Sequence, residues 1–155
     1  MSGEEAKAFN GKDIEKLTIF TDGGARGNPG PSACATVIED SAGNIRLMCG
    51  KYLGKTTNNV AEYQGVILAY EEILKIPNLN FSNVLLRFNL DSNLVVNQLN
   101  GLFKVKDENI RQLVVKIREL ESRFTNIQYK YIPREKNKLA DSVVNKTLDD
   151  QLLKL

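Results

Sequence analysis

The sequence predicts an α/β domain built on a mixed five-stranded sheet flanked by helices, in the order β-β-β-α-β-α-α-β-α. Three observations predict it. Apolar residues switch between a period of two and a helical period along one uninterrupted stretch of chain. The first three extended segments follow one another across short turns and so make a meander. A helix then separates the third from the fourth, which forces a crossover and lets the fourth strand run parallel to the first.

Each element has its own signal. The opening "MSGEEAKAFNGKD" is polar, and residues 1–16 are expected to be a loose tail. "LTIFTD" (Leu17–Asp22) is the first strand, ending at Asp22 in a glycine-rich loop. In that loop Asn28, Pro29 and Gly30 set the turn into the second strand. "SACATVIED" and "IRLMCGKYL" are the second and third strands, joined by the hairpin turn "SAGN". In "TNNVAEYQGVILAYEEILK" the residues Val60, Tyr63, Val66, Ile67, Tyr70, Ile73 and Leu74 recur at helical spacing. "NVLLRFNLD" alternates, with Val84, Leu86, Phe88 and Leu90 on one side, and is the fourth strand. "SNLVVNQLNG" is a short helix. "ENIRQLVVKIRELESRF" is a longer amphipathic one, with Ile110, Leu113, Val114, Ile117 and Leu120 inward. "NIQYKYIP" is the fifth strand, and "NKLADSVVNKTL" the last helix. Residues 17–148 form the domain, and residues 149–155 are a C-terminal tail whose leucines are expected to pack back onto the body, pairing with a partner being the other reading.

Composition narrows the chemistry. A chain of 155 residues is expected to form one domain with a real core. No apolar run reaches the roughly 18 residues of a membrane span, and no signal peptide opens the chain, so a cytoplasmic monomer away from membranes is expected. Cys34 and Cys49 are expected to be small buried thiols of a reducing compartment. The chain contains no histidine, which excludes a Ser-His-Asp triad, a Cys-His pair and a histidine-bearing zinc site. Metal chemistry must therefore rest on oxygen ligands, which favours Mg²⁺ or Mn²⁺. Net charge is only +2, yet residues 100–146 carry 11 Lys or Arg against 6 Asp or Glu. A basic region of that kind suits a polyanion partner or a solvated helix face.

Four acids can converge on one rim. Asp22 and Asp91 end parallel neighbouring strands, and open α/β sheets place their sites at that carboxyl edge. Glu62 stands in the first turn of the crossover helix and Asp141 in the first turns of the last helix. Each has a plainer reading: Asp22 before Gly23 as a turn pair, Asn59 with Glu62 as a capping arrangement, Asp91 as a helix cap, Asp141 as an exposed acid. Together they point to divalent metal, because clustered carboxylates stay ionised only beside a compensating cation. Two such ions would activate water and stabilise the leaving oxygen of a phosphodiester. The loop lacks the Gly-Lys-Ser/Thr ending of a nucleotide-binding P-loop. Gly23 and Gly24 are read instead as letting a substrate backbone approach and meet exposed peptide groups, which can test for a ribose 2′-hydroxyl.

In "TDGGARGNPGP", "TTNNVAEYQGVILAY", "LDSNLVVNQLNG" and "YIPREKNKLADSVVN" the chain resembles ribonuclease H of type 1 from Leu17 to Leu148. The resemblance implies the ribonuclease H-like fold and Asp22, Glu62, Asp91 and Asp141 as ligands of two Mg²⁺, with Mn²⁺ as a substitute. It implies Gly23, Gly24, Ala25 and Asn28 against RNA 2′-hydroxyls, Thr57 and Asn58 around a DNA phosphate, and Asn59 in the minor groove. The implied reaction is hydrolysis of the RNA strand of an RNA–DNA hybrid, leaving 5′-phosphate and 3′-hydroxyl ends. Where many members carry a mobile histidine, this chain has Arg134, as in an arginine-bearing archaeal and bacterial branch. An arginine can hold phosphate or steer Asp141 but cannot shuttle protons near neutral pH; an exposed loop cation is its plainer reading. The basic, tryptophan-bearing protrusion of some members is replaced by the short "GLFKVKDEN", with Lys104 and Lys106 as candidate phosphate contacts beside Phe103. Weak, strongly salt-dependent hybrid binding is expected from so small a footprint. Two other readings are a catalytically idle nucleic-acid-binding module of this fold and a nuclease that also cuts double-stranded RNA.

Overall fold

The computed structural model describes residues 9–154. The strands are β1 Lys16–Ala25, β2 Gly30–Glu39, β3 Ile45–Thr56, β4 Leu85–Leu90 and β5 Asn126–Tyr131. Among the described residues the helices are α1 Asn58–Leu74, α2 Asn93–Leu99, α3 Glu108–Glu121 and α4 Lys138–Leu153, with a 3₁₀ turn at Arg134–Lys136. The sheet order is β3-β2-β1-β4-β5. β1 pairs antiparallel with β2 and parallel with β4, and β5 runs parallel to β4. The expected mixed five-stranded α/β architecture is therefore the one observed.

Alternation along the central strands sets two faces. Leu17 and Ile19 of β1, and Leu86, Phe88 and Leu90 of β4, join the main core beneath α1. On the other face α4 packs over β2, β3 and β1. There Val144 and Leu148 cover Ala33 and Ala35. Because β2 is covered on both faces, "SACATVI" reads as an apolar run rather than an alternation. α1 is enclosed on most sides, with Tyr63, Val66, Tyr70 and Ile73 fully buried. Each such side chain contributes roughly 1.5–3 kcal/mol relative to exposure.

Local polar chemistry closes the elements. Asp40 Oδ1 accepts from Ala42 N–H and Asn44 N–H, both at 3.0 Å, and builds the β2–β3 hairpin turn. The Thr57 hydroxyl accepts from Val60 N–H at 3.2 Å, so Thr57, and not Asn59, caps α1. The Ser92 hydroxyl accepts from Val95 N–H at 3.3 Å and caps α2, which leaves Asp91 free of that task. Cys34 and Cys49 are buried thiols, as expected.

Three boundaries differ from the sequence reading. β1 runs on past Asp22, because Gly23, Gly24 and Ala25 stay paired with Cys34, Ala33 and Ser32; only residues 26–29 form the turn. The described part of the N-terminal segment is docked: Phe9 is buried beneath the Arg46 guanidinium, and Gly11 N–H donates to the Pro77 carbonyl at 2.8 Å. Residues 1–8 of the expected tail lie outside the described residues. At the other end α4 extends to Leu153, and Asp149 pairs with Arg26 at 2.8 Å. Leu152 and Leu153 face solvent, so the packing expected of the tail's leucines does not occur at these two, and Leu155 lies outside the described residues. Among the described residues no helix is long and apolar enough to cross a membrane.

Candidate active site

Asp22 and Asp91 reach one rim by strand geometry. Asp22 pairs with Ala35 and so lies on the face that α4 covers. Phe20 pairs with Asn89, and Asp91, two residues further, continues that face beyond the end of β4. Glu62 arrives from α1, on the opposite side of the sheet. It can do so because Gly23 has no side chain: a Cβ there would stand 2.1 Å from the Ala61 carbonyl oxygen and 2.5 Å from Glu62 N. Gly65 serves the same approach, since its Cβ would meet the Asp22 carbonyl at 2.8 Å. Gly23 is thus a packing glycine between β1 and α1. Gly24, whose Cβ would meet nothing closer than Val144 Cγ1 at 3.8 Å, lines the cleft beside Gly23 with room for a side chain.

One carboxylate oxygen from each of Asp22, Glu62 and Asp91 lies within 4.8 Å of the other two. Asp22 is 7% exposed and Glu62 9%. Burial and the Asp91 charge push the Asp22 carboxyl up to about 7, against a lowering hydrogen bond from Gly23 N–H, with Asp141 adding to the rise. Burial, then Asp22 and Asp91, push Glu62 up to about 9, while Arg134 acts the other way. Glu62 Oε2 is buried without a hydrogen-bond partner. Three acids held this close favour protons or a cation, and the unpartnered oxygen is a free ligand atom. An all-oxygen set of this kind fits Mg²⁺ or Mn²⁺.

Asp141 is not one of that group of three, but it acts on Asp22 both by charge and by a side-chain hydrogen bond. It is exposed in the first turn of α4, and Asn145 Nδ2 donates to its Oδ2 at 3.4 Å. It still lines the same cleft of about 350 Å³ with Asp22, Gly24, Ala25, Asn58, Glu62 and Arg134. Arg134 is exposed but faces the acids, so the loop-cation reading gives way to one at the cleft wall.

The sequence-derived nucleic-acid contacts divide into two groups. Asn58 Oδ1 accepts from Ala25 N–H at 2.8 Å, and Asn58 N–H donates to Asn28 Oδ1 at 3.0 Å. These bonds lock the end of β1 and its turn to the start of α1, next to Thr57. They also engage the Ala25 N–H within the protein. Asn59 is exposed on the first turn of α1. Lys104 and Lys106 form the second group, exposed on the α2–α3 connection and outside the cleft-lining residues.

One site residue went unread in the sequence. Asn137 is 1% exposed, and its Nδ2 donates at 2.9 Å both to the Thr21 carbonyl and to Asp91 Oδ2. Its place just before α4 is the usual place of a helix cap, yet it makes no side-chain cap hydrogen bond. The side chain is spent on the rim instead.

Comparison with known proteins places the chain in one family. The "Reverse transcriptase-like" family model matches residues 20–147. Ribonuclease HI of Halobacterium salinarum is 37% identical over 135 residues, covering 87% of this chain and 65% of that protein. A bifunctional protein of Mycobacterium tuberculosis is 38% identical over 135 residues, 86% of this chain but 36% of its own length. The chain thus spans about a third of the mycobacterial relatives and just under two thirds of the halobacterial one. The crystal structure of LC11-RNase H1 in complex with an RNA/DNA hybrid superposes with a TM-score of 0.84 at 39% identity, covering 88% of this chain and 99% of that one.

Proposed function

The chain belongs to the ribonuclease H type 1 family, and on that footing we propose that it is a metal-dependent endoribonuclease that hydrolyses the RNA strand of RNA–DNA hybrids. The observation that carries the reading is the trio of carboxylate oxygens from Asp22, Glu62 and Asp91 within 4.8 Å, with a buried oxygen of Glu62 left unpartnered. A module that only bound nucleic acid would gain nothing from such charge beside a phosphate backbone.

Asp22, Glu62 and Asp91, with Asp141 at the cleft wall, would hold two divalent cations, Mg²⁺ or Mn²⁺ in its place. Such ions, when bound, supply activation of water and charge neutralisation at the leaving oxygen, giving 5′-phosphate and 3′-hydroxyl ends. The chain's own residues set the geometry. Asn137 aims Asp91, and Gly23 admits Glu62 to the rim. Gly24, Ala25 and Asn28 meet the RNA strand from the turn. Thr57 and Asn58 meet a DNA phosphate from the start of α1, and Asn59 reaches the groove between them. Because Asn58 bridges Ala25 and Asn28, the surfaces facing the two strands are one rigid unit and measure the separation of the backbones. Arg134 holds phosphate beside the acids through its guanidinium. Lys104 and Lys106 add outlying phosphate contacts.

Labelled RNA annealed to DNA, with double-stranded RNA and DNA duplexes of the same sequence, tests the substrate with Mg²⁺ present and with EDTA. The expected result is metal-dependent cutting of the hybrid's RNA strand, leaving 5′-phosphate ends. Cutting of double-stranded RNA at a similar rate would widen the substrate class. No cutting of any substrate, with binding intact, would support the idle module.

A further inference from the structure

The half of the sheet that α4 leaves uncovered carries a line of cations leading to the catalytic rim. Lys16 of β1, Arg87 of β4 and Lys130 of β5 line an open trough of about 420 Å³, with Lys136 of the 3₁₀ turn at its end. Thr18, Phe20, Asn89 and Ile132 complete the lining, and no acidic residue does. None of the four cations makes an ion pair among the described residues.

The register makes this a line and not a scatter. Lys16 pairs with Leu85, Arg87 pairs with Thr18 and Gln128, and Lys130 pairs with Asn89. Each step crosses one strand and advances two residues, a diagonal of roughly 7–8 Å between Cβ atoms. The parity of Lys16, Thr18, Phe20 and Asp22 along β1, and of Arg87, Asn89 and Asp91 along β4, puts the cations on the same sheet face as the two acids. Arg87 is four residues from Asp91, roughly 13 Å along the strand. Lys136 directly precedes Asn137, which holds Asp91.

We propose that this trough is a second contact for the phosphodiester backbone of the hybrid, engaging phosphates beyond those at the scissile bond. The inference rests on the nuclease reading above and extends its substrate surface. Evenly spaced, unpaired cations suit a polymer with one charge per unit, whereas a single small anion would need them convergent. No acid lines the trough itself, and Glu39, opposite Thr18 on β2, stands at its margin near Lys136 without pairing with any of the four cations. The trough also supplies phosphate contacts beyond those of the short α2–α3 connection that replaces a basic protrusion.

The test is hybrid binding against salt with EDTA present, using a duplex of about 18 base pairs and the triple variant Lys16→Gln, Arg87→Gln, Lys130→Gln. A control triple, Lys12→Gln, Lys116→Gln, Arg123→Gln, removes the same charge from residues that do not line the trough. Both are checked by thermal melting. Each lost phosphate contact lowers the slope of log K against log salt by about 0.9. The trough variant is therefore expected to lose roughly two to three units of slope and about tenfold or more in affinity, with the control near wild type. An unchanged slope in the trough variant, or an equal fall in the control, overturns the proposal. Wild-type cutting of the hybrid with Mg²⁺, measured alongside, separates these outcomes: if it is absent, the nuclease reading fails first and takes the trough with it.

Discussion

The side-chain amide of Asn137 donates to Asp91 Oδ2 and to the Thr21 carbonyl, both at 2.9 Å, so one buried residue ties the carboxylate that follows β4 to the backbone of β1. The carbonyl acceptor fixes which way the amide points, and with it the donor offered to Asp91. Asn137→Ala is expected to lower the cleavage rate about 10–100-fold, the cost of losing an outer-shell partner. It is also expected to raise the Mg²⁺ concentration for half-maximal activity. Stability should fall by about 1–3 kcal/mol as buried acceptors lose their donor. Lower stability with an unchanged Mg²⁺ dependence would make Asn137 a packing residue only.

Gly23 and Gly24 should separate by substitution. Gly23→Ala places a methyl 2.1 Å from a backbone oxygen of α1, so β1 and α1 must part and Glu62 must move. Thermal stability and cleavage are both expected to fall sharply, by more than about 2 kcal/mol in stability. Gly24→Ala meets only ordinary contacts and should fold within about 0.5 kcal/mol of wild type while weakening substrate affinity. Equal stability for the two variants would contradict this account of the β1–α1 approach.

The metal-free protein should lose stability as pH rises. Asp22 at about 7 and Glu62 at about 9 lie above the roughly 3.9 and 4.3 of an unfolded chain. The folded state therefore binds more protons between these limits. Its extra stability is complete below about pH 4 and is lost as pH rises through 7 and then 9. Thermal melts in EDTA from about pH 5 to 9 should show this decline, and Asp22→Asn with Glu62→Gln should flatten it. Mg²⁺ binding should release protons over the same range. A wild-type melting temperature that does not fall more than the double variant's would count against the clustering.

Arg134→Ala is expected to cost about tenfold in kcat/KM for the hybrid, a charge-assisted phosphate contact being worth roughly 1.5–3 kcal/mol at most. Arg134→Lys should recover part of it. The pH profile between about 6 and 9 should be unchanged in shape, since a guanidinium does not titrate there. A profile that loses a limb in Arg134→Ala would assign it proton chemistry after all.

Much of this was legible in the sequence because Glu62, Asp91 and Asp141 sit near element ends that periodicity locates well, and Asp22 close to the end of its strand. The strand after the crossover helix put Asp91 beside Asp22, and that is where it lies. What escaped was set by packing between elements distant in sequence. Gly23 and Gly24 read as loop because glycine is poor in strands, yet α1 needs one of them within β1. Asn137 read as nothing more than the first residue of the last helix, since its partners lie 116 and 46 positions away. Phe9 read as tail because a single aromatic in a polar segment carries no period.

The most direct measurement is single-turnover cleavage of a labelled hybrid by wild type and Asp91→Asn across a Mg²⁺ titration. The account predicts metal-dependent cutting by wild type. It predicts a loss in Asp91→Asn larger than the roughly hundredfold of an outer-shell change, with the variant still folded. Cutting by Asp91→Asn at the wild-type rate, or wild-type cutting undiminished in EDTA, would contradict the claim that these carboxylates and their cations perform the hydrolysis.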